Sequence, residues 1–313
     1  MENIRLNFDV DMQAFRDANN QQKPKALAGL FKYFQDKIYA DTPECAGSAA
    51  AQREACIESR QRFNAAGGYE LLRPMLEGGS APAYFEAVKI VAQSTINSQE
   101  NKAGVRAAQL VPLLGRYLSV EAVGGSLTAG DFQGVAPVKL LLENISALAN
   151  SSSKSVENKI EYSRLGYVAQ ITALLPERHD RLTRKVMSAL ESFTSQPSDR
   201  VVPEVHENCA AIARTPGAMD ELAAHAARSY GSQDQQYSAK KATTILGRVE
   251  GVVQPAMDAG GALAPEPAPA ELNTMLFSGS IRTYETVRMV RHPAPHGCTR
   301  PRLKVLPVFR PRR

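Results

Sequence analysis

The sequence contains no tryptophan, only four cysteines in 313 residues, and no apolar run that approaches the length of about 18 residues needed to cross a bilayer. A membrane-spanning protein is therefore not predicted. The cysteines lie far apart and form no C-x-x-C pair, so neither a zinc site nor a disulfide framework is indicated. We interpret them as free thiols: Cys45, Cys56, Cys209 and Cys298.

The first thirteen residues, MENIRLNFDVDMQ, have neither the basic-then-apolar order of a secretory signal nor the Arg-rich, acid-poor composition of a transit peptide. This pattern predicts a cytoplasmic protein. A nuclear location is an alternative, and an organellar one is another if the chain begins at a processed terminus.

Catalytic patterns are also missing. The glycine-rich segment 124–130 resembles a phosphate-binding loop only in composition, and no G-x-x-x-x-G-K-[ST], G-x-G-x-x-G or G-x-S-x-G pattern occurs. The five histidines are scattered, and His225 occupies an apolar position of the kind filled by a neutral histidine. We therefore expect no enzyme activity, no catalytic or metal-binding residues, no cofactor and no small-molecule substrate.

Charge is distributed unevenly along the chain. Residues 281–313 hold nine basic side chains against the single acid Glu285, a net charge of +8, whereas the whole chain carries +5 and residues 1–280 therefore carry −3. The basic residues of this tail are Arg282, Arg288, Arg291, Arg300, Arg302, Lys304, Arg310, Arg312 and Arg313. Body and tail are predicted to make different electrostatic contacts.

An amphipathic pattern recurs about four times. We number each copy from one reference residue, the zero position. Apolar residues then occupy positions plus two, five, eight and nine, which lie on one face of a helix. The zero positions are Gly67, Gln109, Gly166 and Gly217, and the last copy is weaker because His225 and Ala226 fill its final two slots. Spacings of 42, 57 and 51 residues separate the copies, and the glycine-rich insert Val120 to Gly134 accounts for the longest.

Each copy is predicted to contain three helices. An asparagine eight or nine residues before the zero position is a suitable helix start, which makes Asn101, Asn158 and Asn208 structural caps. The zero-position glycine permits a sharp turn into a second helix. A third amphipathic segment then closes each unit at residues 83–93, 137–150, 182–192 and 237–247. Three helices at a period near 42 residues indicate an all-α solenoid.

The chain resembles the armadillo repeat family, through Asn158 to Leu175 and the Ala147-Leu148-Ala149-Asn150 ending of a third segment. The resemblance implies a right-handed α-solenoid whose third helices line a concave groove that binds extended peptides or proteins. In importin alpha, asparagines at the ends of the third helices hold the peptide backbone beside tryptophans. The corresponding groove positions here are Gln93, Asn150, Ser192 and Gly247; only Asn150 matches, and without tryptophan nuclear-import cargo binding is not expected.

Alternative roles remain open for these residues. Asn150 either caps its helix or contacts a ligand, and Gln93 and Ser192 are either solvated helix ends or groove contacts. We divide the chain into a helical cap or degenerate repeat at residues 1–44, armadillo-like repeats at 45–252, and a Pro-rich linker with a basic, non-helical, extended tail at 253–313.

Two functions are compatible with these predictions. The first is a scaffold that binds a protein partner along the concave surface and uses the basic tail as a second attachment. The alternative is a constitutive subunit of a large ribonucleoprotein or cytoskeletal assembly, held by the tail and the Val120 to Gly134 insert. The tail itself is expected to order on RNA, on an acidic protein surface, on an anionic membrane or in the chain's own groove. The alternative is a solvated tail that binds nothing specific.

Overall fold

The structure, a computed structural model, describes residues 2–35, 39, 44–128, 130–177, 179–197, 201–228 and 231–258, without the side chains of 2, 3 and 255–258. These residues form α-helices and short 3-10 helices, and within them the sole β-type pairing is an isolated bridge between Phe132 and Val135. Two compact units divide the chain at residues 266 and 267. Everything described below lies in the first unit.

Four consecutive three-helix units follow an N-terminal helix pair. The pair is α1 (Glu2–Asp17) and α2 (Lys23–Phe31), extended by a 3-10 turn at Lys32–Phe34. The units comprise α3 (Ala49–Ala65), α4 (Gly68–Glu77) and α5 (Ala81–Ser94); α6 (Gln99–Ala107), a 3-10 helix (Val111–Gly115) and α7 (Pro137–Ser152); α8 (Val156–Arg164), α9 (Tyr167–Thr172) and α10 (Asp180–Thr194); and α11 (Pro203–Arg214), α12 (Ala218–Ala226) and α13 (Gln233–Asp258).

The zero positions are where the chain turns from first to second helix. Gly67, Gly166 and Gly217 have φ of 70°, 73° and 74°, and each immediately precedes a second helix. Gln109 adopts the same left-handed conformation with φ of 54° although it carries a side chain. The predicted turn is confirmed in all four units, because a left-handed residue is what lets two helices meet at such a short link.

The core runs through all four units. Residues at plus two, five, eight and nine of the first three copies are buried, as the periodicity predicts. The third helices pack successively on one another, α2 on α5, α5 on α7, α7 on α10 and α10 on α13. α2 therefore occupies the place that a third helix of a preceding unit would take, in keeping with a degenerate first repeat.

Two segments, the insert and the last helix, differ from the simplest reading of the sequence. The insert is partly integrated into the core: Val123 is fully buried, and the ring of Phe132 meets Tyr117 edge-on at 5.8 Å between centroids. At the other end, Val252 lies inside α13, which continues to Asp258. The Pro- and Gly-rich sequence that was expected to end the array follows that point and lies outside the described residues.

We predict that Gly166→Ala lowers the free energy of unfolding by about 1–2 kcal/mol, the cost of a left-handed L-residue. A Cβ at Gly166 meets nothing within 4 Å, so backbone strain is the sole cost. Gly247→Ala is the matched control, because it also adds a Cβ in open space but lies within helix α13 and should stabilise by about 0.5–1 kcal/mol. Urea unfolding followed by circular dichroism measures both; equal effects of the same sign would contradict the assignment.

Candidate partner-binding groove

Two cavities that share Ala149, Asn150 and Ser188 lie along the third helices α7, α10 and α13. The first, of about 960 Å³, lies at the C-terminal ends of α7 and α10, beside Arg248 of α13 and the start of α8. The second, of about 630 Å³, lies along their earlier turns. We call the two cavities together the groove.

Side chains at the ends of the third helices bond to the preceding third helix. Asn150 Nδ2 donates to the carbonyl of Ala92 at 2.7 Å. One unit on, Ser192 Oγ donates to Ala149 O at 3.2 Å, and in the last unit Arg248 donates to Glu191 O at 2.9 Å. These bonds tie α5 to α7, α7 to α10 and α10 to α13.

The asparagine that recurs in three of the four units has a role different from the predicted one. Asn101 and Asn158 lie inside α6 and α8, whose N-caps are Ser98 and Ser155. Each amide instead donates back to the end of the preceding third helix, Asn101 to Ser94 O and Asn158 to Ser151 O, both at 2.7 Å. The prediction of an N-terminal cap was wrong for these two residues, since they satisfy carbonyls at a helix C-terminus.

Asn208 makes the equivalent contact in the last unit, from its Nδ2 to Phe193 O at 3.0 Å. It lies within α11, whose N-cap is Val202, so it too is not the cap of its own helix. The three asparagines are fully buried. They are structural residues, as predicted, but they act between neighbouring units.

A buried cation seven residues before the zero position makes a further kind of hydrogen bond between helices, in addition to those of the third-helix side chains and of the asparagines. Lys102 donates to Ser153 O and Lys159 to Ser195 O, each at the end of its own unit's third helix, and Lys159 also meets Ser195 Oγ at 2.7 Å. Arg60 holds the same position in the first unit and reaches Ile96 O at 3.4 Å. Sequence reasoning missed these residues, although a basic side chain at one repeat position in three copies was a visible signal.

Burial changes the titration of the two lysines. Both are 2% exposed, and this desolvation lowers the pKa of Lys102 and of Lys159 to about 8. Nearby cations, Lys154 for Lys102 and Arg248 for Lys159, act in the same direction.

The four predicted groove positions are not all brought together. Asn150 and Ser192 line the first cavity, whereas Gln93 lines a separate cavity beside Phe34 and Arg60. Gly247 lines neither cavity of the groove, whereas its neighbour Arg248 lines the first cavity. Helix α13 does not end at Gly247 but continues to Asp258. The basic residues predicted for the tail, Arg282 to Arg313, lie outside the described residues.

Other kinds of site were sought in the described part of the chain. There, no three His, Cys, Asp or Glu side chains are grouped as metal ligands would be. Nor does any helix of that part combine the length and apolarity of a membrane span.

Solved structures similar to this chain share its fold. A designed armadillo repeat protein matches with 15% identity and a TM-score of 0.50, over 75% of this chain and 98% of the other. An engineered protein of the Northeast Structural Genomics Consortium matches with 16% identity and a TM-score of 0.52, over 79% and 97%. No protein-family model and no curated protein matches the sequence. The fold is thus a divergent α-solenoid of the armadillo type, as predicted.

We expect Asn158→Ala to lower the free energy of unfolding by about 1–3 kcal/mol, because it leaves a buried carbonyl without its donor. Asn101→Ala should lower the free energy of unfolding by less, because it also removes a buried oxygen that has no hydrogen-bond partner, the Oδ1 of Asn101. The Oδ1 of Asn158, in contrast, accepts a hydrogen bond from Arg106 at 2.8 Å. Glu100→Ala, at the exposed neighbouring position, is the control and should change little. Denaturant unfolding of the three variants ranks their losses in the free energy of unfolding. A loss in Glu100→Ala as large as that in Asn158→Ala would refute the structural role of Asn158.

A second prediction concerns pH. Lys159 titrates near 8 in the folded state and near its ordinary 10.5 when unfolded, so between these values the unfolded chain binds more protons. The stability of the wild-type protein relative to Lys159→Met should therefore rise with pH from 8 to 10.5, by at most about 1.4 kcal/mol per pH unit. Urea unfolding of both proteins at pH 7, 8, 9 and 10 tests this. A stability difference that stays constant would show that Lys159 keeps an ordinary pKa, and one that falls with pH would show that its pKa is raised on folding.

Proposed function

We propose that this protein is a non-enzymatic scaffold that binds a protein partner along the groove, with the basic tail as a second attachment. The observation that carries the proposal is the groove itself, two cavities joined at Asn150 and Ser188 that follow three successive third helices. A site of that form suits an extended chain better than a compact small molecule.

Rigidity of the groove supports the proposal. Its floor is made of helix ends held to one another by side-chain bonds, including Asn150 to Ala92 and Ser192 to Ala149. A surface that is already ordered loses less conformational entropy when it binds, so more of the contact energy appears as affinity.

The packing of residues 120–134 favours the groove over the insert as the place of attachment. In the rival role of a constitutive assembly subunit, that insert is a contact element. Val123 is fully buried and Phe132 packs on Tyr117, so these side chains are committed to the protein's own core. For the tail, the nine basic residues support binding to an acidic surface of the partner or to RNA.

A site-specific photocrosslinker placed in the full chain tests the groove. A benzoylphenylalanine at Lys185, which lines the second cavity, should crosslink to partner protein in native extract. The same group at Arg164, an exposed residue of the first helix α8 that lines neither cavity, is the control and should not. Equal crosslinking from both positions, or crosslinking from Arg164 alone, would contradict a groove-bound partner.

A parallel purification of the full chain and of a version ending at Asp258 separates the role of the tail. Truncation at that residue keeps the whole of α13. Partners lost on truncation and on nuclease treatment assign the tail to RNA, whereas partners lost on truncation alone assign it to protein. Identical partners for both versions would remove the tail from the proposal.

A further inference from the structure

Building on the proposed function, we infer that the partner's groove-binding element is an extended acidic segment of a protein. The inference rests on the charge of the groove, on the contacts of its cations and on the state of its aromatic rings.

The groove carries an excess of positive charge within a body that is net negative. Each of its two cavities is lined by four basic and two acidic side chains. Residues 1–280 as a whole carry a net charge of −3. Positive charge is therefore concentrated on this face. The basic residues that line it are Arg106, Lys139, Lys154, Lys159, Arg181, Arg184, Lys185 and Arg248.

Four of these cations are available for a ligand. Lys139, Lys154, Arg181 and Lys185 are exposed, and among the described residues none of them has an ion-pair partner. Three of the four acids are already engaged. Asp234 pairs with Arg184 at 2.6 Å, Glu157 pairs with Arg106 at 3.7 Å, and Glu191 pairs with Lys241.

Glu143 is the acid of the second cavity that forms no ion pair among the described residues. It lies on α7, where desolvation raises its pKa against the opposing influence of Lys185 and Lys89. Three exposed cations of the same cavity, Lys139, Arg181 and Lys185, also lack an ion-pair partner there. The unpaired charge that an incoming chain meets in this cavity is therefore predominantly positive, and carboxylates complement it.

The aromatic rings of the groove favour protein over single-stranded RNA. Base recognition requires aromatic faces on which bases can stack. The ring of Tyr237 is covered by Arg184 at 4.8 Å and by Lys241 at 5.3 Å from its centroid. Phe85 likewise has the ammonium group of Lys89 at 5.3 Å. Each ring is thus in contact with at least one cation, which reduces the aromatic surface on which a base could stack.

Like charge argues against the chain's own tail as the occupant. The tail carries +8, and entry into a positive groove would bring cations together without compensating acids. The chain's own groove, one of the four surfaces named above for the tail, is therefore disfavoured as its binding site.

Fluorescence anisotropy on the full chain tests the inference with three labelled twelve-residue probes: an acidic peptide (Glu-Ala-Glu-Ser)₃, a basic one (Lys-Ala-Lys-Ser)₃ and a neutral one (Gln-Ala-Gln-Ser)₃. The groove variant is Arg181→Glu/Lys185→Glu, two exposed cations one turn apart on α10. Its control is Arg164→Glu/Arg228→Glu, which changes net charge equally at exposed positions away from the groove. Circular dichroism and melting verify that both variants remain folded.

We expect the acidic peptide to bind most tightly, with at least a 10-fold loss in the groove variant and less than about 3-fold in the control. Because the tail is present in every protein, a difference between the groove variant and the control variant reports on the groove. Equal losses in the two variants would overturn the inference, as would a preference for the neutral peptide.

Binding of the basic peptide that depends on the groove would refute the acidic preference and leave the proposed function intact. Displacement of the acidic peptide by a twelve-nucleotide oligouridylate, abolished in the groove variant alone, would replace protein by RNA as the ligand. Loss of groove crosslinking from Lys185 in the earlier experiment tests the proposed function independently of ligand charge, so the two failures are distinguishable.

Discussion

The ends of the third helices impose the constraint on which this fold depends. The last turn of an α-helix has carbonyls with no donor of their own, and when it is buried between repeats other groups must supply the donors. Here the donors are side chains of adjacent segments: for α7, Asn158 reaches Ser151 O, Lys102 reaches Ser153 O and Ser192 reaches Ala149 O. Each bond crosses between helices, so satisfying a helix end and joining neighbouring helices are the same event.

That constraint also shapes what the groove can recognise. The amide nitrogen of Asn150, the one residue that matches an armadillo peptide ladder, is used to hold Ala92. Ser192 is similarly used on Ala149 and Ser152. In the proposed function, recognition depends on the other side chains of the groove, and most of the charged ones are lysine or arginine. We expect such a groove to select its ligand by charge more than by backbone pairing.

Sequence periodicity predicted the repeats well because burial and turning are local. Apolar offsets around Gly166 and the glycine itself report which face is buried and where the chain reverses. The bonds between units were not predictable in the same way. Asn158 looks like the start of its own helix, and nothing local shows that its amide serves the end of another. Lys159 reads as an exposed charge, although it is buried against Ser195. Gly247 ends the amphipathic segment 237–247 and is therefore the expected groove position, but α13 continues past it to Asp258 and Arg248 is the residue that lines the groove.

Opposite charges are separated within one chain. The groove and the tail are both positive, so the other surfaces of residues 1–280 must carry the acids that bring this region to −3. Interactions between exposed charges act mainly within a Debye length, about 8 Å at physiological salt. In the proposed function, an acidic partner is therefore attracted at short range by each of the two positive regions, and contact with one raises its effective concentration at the other.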